Sequence, residues 1–190
     1  MSRRELQVLE TLDDWDGGLP ALVLAGSASV ADRRARLAAL AARALSLTPD
    51  AVAVEHREGH APRLLRPAGT GLHLSSASRG ALAALGVAAT QIGVDVELIE
   101  PDAVPPWHVL HPAEAEVLRR SVDPAADFAA LWAVKEAYLK ALGAGLSREP
   151  AGFAVRLGAS VMIEDPGGPA ASVTLLRRAD AFVAAVLLDG

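Results

Sequence analysis

Cysteine is absent from this 190-residue chain. Its absence excludes disulfides, thiolate catalysis and Cys-based zinc sites. Aromatic residues are scarce, at 4%, so the core has to be assembled largely from Ala, Leu and Val. No apolar run reaches the ~20 residues of a membrane span. The N-terminal MSRRELQVLE lacks the apolar centre of a signal peptide. A cytoplasmic protein with no membrane partner is therefore expected. There is no basic surplus either. The formal charge is −5, where nucleic-acid binders usually carry a positive excess, so no nucleic-acid partner is expected. The five histidines show no HExxH spacing or other metal-binding pattern.

What is present is ample apolar material, 52% of the residues, enough for one domain or two small lobes. In chain order, residues 1–20 contain an acidic Gly-containing patch, 13–18, that reads as a turn or loose arm. Ala21–Leu24 reads as a strand. Asp32 opens an Ala- and Arg-rich helix to about Leu45, with Leu37, Leu40, Ala41 and Ala44 on one face. Its arginines 33, 34, 36 and 43 read mainly as solvated surface. Ala51–Glu55 is a strand and Glu58–Pro62 a turn. Leu72–Leu74 is a second short strand, followed by Ser75-Ser76-Ala77-Ser78-Arg79-Gly80. That hydroxyl-rich stretch reads equally as a phosphate cradle or an ordinary hairpin turn. Ala81–Ala88 and Gln91–Leu98 would be paired strands. Pro101–Trp107 reads as a connector, and Pro112–Leu118 begins a short helix. Strands are expected over 153–157, 160–164, 172–176 and 182–188, with a hairpin-type break at 166–169. LSLTPDAVAV at Leu45–Val54 and LSREPAGFAV at Leu146–Val155 echo one another, which suggests two related lobes.

Two stretches stand out chemically. The first, FAALWAVKEAYLKALG over Phe128–Gly143, reads as one amphipathic helix. Asp123 is its N-cap, Pro124 lies in its first turn and Gly143 is its stop. Glu136 and Lys140, i and i+4, share a face. An ordinary surface ion pair explains that as readily as a site. The second, IGVDVE over Ile92–Glu97, reads as a buried strand. Asp95 and Glu97, i and i+2, point to one side of it. Adjacent carboxylates raise each other's pKa unless a cation sits between them, and an oxygen-only donor set suits Mg²⁺. A strand end with two wet carboxylates is the plainer alternative.

Taken together, Gly93-Val94-Asp95-Val96-Glu97 and Trp132-Ala133-Val134-Lys135-Glu136-Ala137-Tyr138-Leu139-Lys140-Ala141-Leu142-Gly143 resemble the paired signature of the 4′-phosphopantetheinyl transferases. The type resembled is the monomeric, two-lobe one that activates surfactin synthetase in secondary metabolism. The resemblance implies an α+β fold built as a pseudo-two-fold pair of lobes. Residues 1–100 would form the coenzyme A side, and residues 101–190 the lobe with the signature helix. It implies transfer of the phosphopantetheine arm of coenzyme A to a serine of an acyl or peptidyl carrier protein, with Mg²⁺ as cofactor. By resemblance, Asp95, Glu97 and Glu136 ligate the metal. Glu136 accepts the serine proton, and Lys140 contacts the phosphates and stabilises the leaving group. Lys135 is a second phosphate contact, its alternative being a stem packed along the helix. Ser75, Ser76 and Arg63 are expected on the coenzyme A side.

The upstream half departs from the family pattern. The family's basic residue before a proline is Ala61 here, and its Ser-His-Ser is Ser75-Ser76-Ala77. Ser75 matches, while the lysine and histidine that hold the 3′-phosphate in relatives are missing. Arg63, Arg66 and Arg79 are the nearby cations expected to compensate. A degenerate relative that binds a carrier protein or nucleotide without turnover is the second reading.

Overall fold

The computed structural model describes residues 5–13, 15–26, 29–57, 60–143 and 148–189. The elements run β1 (Gln7–Leu9), β2 (Ala21–Gly26), α1 (Val30–Ala44), β3 (Ala53–Glu55), β4 (Arg63–Arg66), β5 (His73–Arg79), β6 (Leu82–Ala88), β7 (Ile92–Leu98), α2 (Pro112–Arg119), α3 (Pro124–Leu142), β8 (Ala154–Arg156), β9 (Met162–Glu164), β10 (Ala171–Arg178) and β11 (Ala181–Leu188). The expected α+β class is observed. Glu58 and Gly59 of the expected turn, and Leu146 and Ser147 of the echo, lie outside the described residues, as does Asp14 of the acidic patch.

Two sheets carry the molecule. One has the order β1-β2-β6-β5, with β1 parallel to β2 and the other pairs antiparallel. The other is antiparallel, in the order β10-β11-β7. Two small ladders, β3 with β4 and β8 with β9, complete the set. Helix α1 packs its Leu37, Leu40 and Ala41 into a core with Val23, Leu85 and Val87 of the first sheet. Helix α3 lies on β7 and β11 and shares a core with Ala184, Val186 and Phe153. A third cluster, with Leu22, Ala84, Ile92, Val94 and Val183, fills the space between the sheets.

The helix starts follow capping chemistry. Ser29 caps α1 in a reciprocal box with Asp32, so Asp32 is the third helical residue and not the opener. Asp123 caps α3 through the Ala126 N–H, Pro124 is in the first turn, and Gly143 closes the helix in the left-handed conformation, φ 66°.

Three expectations are corrected. The patch 13–18 is not a loose arm at its described positions: Trp15 is buried in the α1 core with its indole N–H bonded to the Gly18 carbonyl at 3.0 Å. An aromatic of this size gains a few kcal/mol by leaving water, which outweighs the polar character of its neighbours. The segment Ser75–Arg79 continues strand β5, and the turn comes at Gly80 and Ala81. β6 and β7 are sequential yet do not pair. β6 is flanked by β2 and β5, while β7 joins β11. The two stack face to face instead: a Cβ at Gly86 would lie 2.8 Å from both Ile92 Cδ1 and Val94 Cγ1. Strands buried on both faces read as continuous apolar runs, so period gives no hint of which neighbour each one takes.

Gly93 sets the distance between β7 and α3. A Cβ there would overlap the Ala137 carbonyl oxygen and sit 2.5 Å from Ala141 N. These are backbone atoms, which cannot turn aside as a side chain would. Gly93→Ala is therefore expected to destabilise the protein by about 3 kcal/mol or more, a loss of at least ~6 °C in Tm for a chain of this size. Circular-dichroism melting checks it; a Tm within 2 °C of the native value would show that strand and helix can separate freely.

Candidate functional site

The seam between β7 and α3 gathers the signature side chains. Asp95 leaves β7 toward α3, where the Lys140 ammonium donates to its Oδ1 at 2.6 Å and to the Val94 carbonyl at 3.2 Å. Asp95 is only 6% exposed. Its other oxygen, Oδ2, is buried without a hydrogen-bond partner among the described residues. Burial raises the Asp95 pKa, and the Lys140 charge works against that rise. Glu97, two residues on, is pushed up to about 7, first by burial and then by the Asp95 charge. Arg79 opposes the shift, its Nη2 standing 3.7 Å from Glu97 and 3.6 Å from Glu100. Glu136 is also raised, by burial and then by Asp95. The Asp95 charge thus raises both Glu97 and Glu136, while Lys140 offsets it.

These acids fit a hard cation in donor type, and the unpartnered Asp95 Oδ2 is where an added positive charge would be satisfied. Their side chains are not gathered for it, however. Among the described residues no three His, Asp or Glu groups stand close enough to form a ready-made metal site. Asp95 is engaged by Lys140, Glu136 lines a cavity on one side of the seam, and Glu97 lines a smaller groove with Arg79, Phe128 and Trp132 on the other.

The cavity is about 690 Å³ and lies between the two halves of the fold. Glu136 and Lys140 form its α3 wall. Ser75, Ser76 and Ser78 come from β5, Arg33 from α1, and His56 from the segment after β3. Ser75 is buried, and its Oγ accepts the Val94 N–H at 2.9 Å. The hydroxyl is thus a tie between β5 and β7 as well as part of the wall. Ser76 Oγ is hydrogen-bonded to His56 Nε2 at 3.1 Å. Arg63 faces an adjoining groove of about 330 Å³, also lined by Lys140, and not the chamber of Ser75 and Ser76.

Lys135 is placed elsewhere, and the phosphate contact expected of it is corrected. It is fully buried, 0% exposed, and its ammonium is 3.0 Å from Glu114 Oε1. It donates to the Pro150 and Phe153 carbonyls, both at 2.7 Å, and stands 4.2 Å from the Phe153 ring centroid. Glu114 in turn accepts the Val155 N–H at 2.6 Å and the His111 N–H at 2.8 Å. The alternative of a packed lysine holds, with the charge buried as well as the stem. Lys140 follows Lys135 by five positions, about 140° around the helix, so the two cannot serve one ligand. His56 and Arg33 were not singled out as site residues in the sequence. No local pattern marks His56; only the fold brings it across from Ser76.

A family model described as the 4′-phosphopantetheinyl transferase superfamily matches residues 91–186, just over half of the chain. The chain belongs to this superfamily. The matched span begins at β7 and ends in β11, so the superfamily's characteristic region includes the whole seam. No curated protein sequence matches the chain. Among solved structures, holo-[acyl-carrier-protein] synthase of Thermotoga maritima is similar at 23% identity and TM-score 0.45, over 53% of this chain and 63% of that one. The chain thus spans less than two thirds of that relative. The Neisseria meningitidis enzyme of the same name is similar at 18% identity and TM-score 0.47, over 53% of this chain and 98% of that one. A Chronobacterium ammoniagenes ACPS–CoA complex is similar at 17% identity and TM-score 0.43, over 53% and 98%.

Two predictions come from this geometry. Lys135→Met strands Glu114 in the core, and breaking a buried pair from one side costs about 3–5 kcal/mol. Chemical denaturation should show that loss. Lys135→Met at native stability would return Lys135 to the list of ligand contacts. The second prediction concerns Glu97. Its folded pKa of about 7 lies above its ordinary 4.5, so the folded state keeps a proton that the unfolded chain releases. That contribution is full below pH 4.5 and is lost as pH rises through about 7. Glu97→Gln escapes the loss. In metal-free buffer its Tm relative to the native protein should therefore be higher at pH 8 than at pH 5; an equal difference at both would mean that Glu97 titrates normally.

Proposed function

We propose that the protein moves the phosphopantetheine arm of coenzyme A to a serine hydroxyl of an acyl or peptidyl carrier protein. The observation that carries this reading is the seam itself. Asp95 and Lys140 are paired across it, Glu136 and Lys140 wall a cavity of about 690 Å³, and Glu97 lies on the other side of the seam, all within a span that matches the superfamily. The chemistry asks for three things at the reacting phosphorus: neutralised negative charge, an oriented nucleophile and a proton acceptor. Lys140, partly exposed and tethered to Asp95, presents a positive charge toward the cavity for the phosphate oxygens and the departing adenosine bisphosphate. Glu136 faces the same space with a pKa raised above the ordinary carboxylate value. A carboxylate so raised takes a proton more readily, which suits it to accept the serine hydroxyl proton as the oxygen attacks phosphorus.

Mg²⁺, when bound, would supply further charge neutralisation at the pyrophosphate, and Asp95, Glu97 and Glu136 are the residues that would hold it. The unpartnered Asp95 Oδ2 supports that assignment. Loading it asks the Glu97 and Glu136 side chains to turn toward Asp95. The finer features belong to the same proposal: a monomer in the cytoplasm serving secondary metabolism, with two related lobes. Support for the lobes is limited to the parallel between α1 on the first sheet and α3 on the second.

The test is to incubate the protein with an apo carrier protein, coenzyme A and Mg²⁺ and to weigh the carrier by mass spectrometry. A mass increase equal to one phosphopantetheine arm is expected. Glu136→Gln and Asp95→Asn should each lower the transfer rate by about 10²–10⁴-fold with the fold retained. A carrier of unchanged mass across fatty-acid, polyketide and peptidyl types would favour the non-catalytic reading.

A further inference from the structure

The groove on the far side of the seam holds a cation placed there by the fold around it. Arg79 is the last residue of β5, and the turn that follows rests on β7: a Cβ at Gly80 would lie 3.3 Å from Leu98 Cδ1. The facing chain is fixed as well, since the Ile99 N–H donates to the Asp180 carbonyl at 2.7 Å. Arg79 is thereby delivered beside residues 97–100. Its Nη2 lies 3.7 Å from Glu97 Oε2 and 3.6 Å from Glu100 Oε1. Two acids at nearly equal distance share one nitrogen, and all three side chains line the groove. Both separations exceed hydrogen-bond length, so the contacts are Coulombic and can be exchanged without breaking a bonded geometry. The two acids differ in surroundings. The Glu97 side chain is 14% exposed and the Glu100 side chain 58%. Glu97 also feels the repulsion of Asp95 and Glu136, which Arg79 opposes.

We propose that Arg79 is a positioning residue that holds Glu97 in the groove, apart from Asp95 and Glu136, and that Glu100 is the alternative partner that keeps Arg79 when Glu97 turns to a divalent cation. The proposal rests on the metal-dependent part of the transferase reading. It gives a role to two charged residues that lie outside both signature stretches. Arg79 was one of the cations expected to make up for missing phosphate contacts; the fold aims its charge at two carboxylates instead. When Glu97 leaves, Glu100 remains, so the guanidinium is not stranded. Without Glu100, release of Glu97 would leave Arg79 with no acid in ion-pair reach among the described residues. Arg79 therefore opposes loading of the cation, and Glu100 assists it. The assistance from Glu100 exists only while Arg79 is present. Two charges acting separately on the cation through space would instead contribute independently.

The experiment uses the whole protein without coenzyme A, and Mn²⁺ as the probe, an ion that takes the same oxygen ligands as Mg²⁺. Free Mn²⁺ is read by electron paramagnetic resonance at pH 8 and fixed ionic strength, and melting curves check that each variant is folded. Arg79→Gln should bind Mn²⁺ about threefold more tightly, the size of a partly exposed ion pair. Glu100→Gln should bind it about threefold more weakly. The double variant Arg79→Gln/Glu100→Gln should match Arg79→Gln alone. In a Glu97→Gln background, Arg79→Gln should change nothing, because its target is gone. Unchanged affinity in Arg79→Gln overturns the proposal, as does absence of Mn²⁺ binding by the native protein and every variant. A Glu100 effect of equal size with and without Arg79, or an Arg79 effect that survives Glu97→Gln, overturns it too. The carrier-mass assay run beside it separates the two questions. Transfer with an affinity that ignores Arg79 would leave the transferase reading standing alone. The expected affinity pattern without transfer would leave the positioning role standing alone.

Discussion

The close contact of β7 with α3 is the constraint on which the rest depends. Gly93 has no side chain to hold the strand away, so the β7 backbone rests against the Ala137 and Ala141 backbone. At that separation Asp95 reaches Lys140 across the seam at 2.6 Å. One extra methyl would act as a wedge between an acid on a strand and a base on a helix. The helix is suited to the contact because its strand-facing positions are small: Ala133, Ala137 and Ala141 recur every four residues and are fully buried. The low aromatic content of the chain has its structural meaning here, since bulky residues in this layer would separate Asp95 from Lys140.

Helix α3 uses two lysines for opposite purposes. Lys140 sits where the fold opens and keeps its charge near solvent. Lys135 faces inward and is neutralised by Glu114 and two carbonyls. The inner pair clamps α2, α3 and the start of β8, since Glu114 also takes the Val155 N–H. Tyr138, next to it on the buried side, donates to Asp165 at 2.6 Å, and Asp165 is ion-paired with Arg148. The helix that presents Glu136 and Lys140 is therefore held from behind by charged and hydrogen-bonded groups as well as by apolar packing. Such anchoring gives the side chains on the open face a defined position without drawing on those side chains themselves.

Much of this was legible in the sequence where local chemistry decides structure. The α3 span, its Asp123 cap and Gly143 stop, and the four C-terminal strands follow from capping rules and alternation. The i, i+2 spacing of Asp95 and Glu97 and the i, i+4 spacing of Glu136 and Lys140 placed the seam groups on their elements. What was not legible depends on partners distant in the chain. Lys135 and Glu136 are neighbours in the sequence and on different faces in the fold, and nothing local says which of the two lysines turns inward. Ile92–Leu98 reads as a strand, but its choice of β11 over β6 depends on residues Ala181–Leu187, far later in the chain. His56 carries no motif and gains significance only opposite Ser76. Trp15 was hidden by its acidic neighbours, and of the chain's three tryptophans one, Trp107, is exposed, so residue type alone did not mark Trp15 for burial.

The Ser75 hydroxyl that accepts the Val94 N–H is a narrow polar tie between β5 and β7, strands of different sheets. The cavity beside it is walled by α1 and β5 on one side and α3 on the other. A ligand seated there touches both halves at once and works as mortar between them. Its binding energy would enter the cohesion of the fold, so resistance to unfolding should rise with ligand concentration by mass action. Occupancy and architectural integrity would then be the same variable.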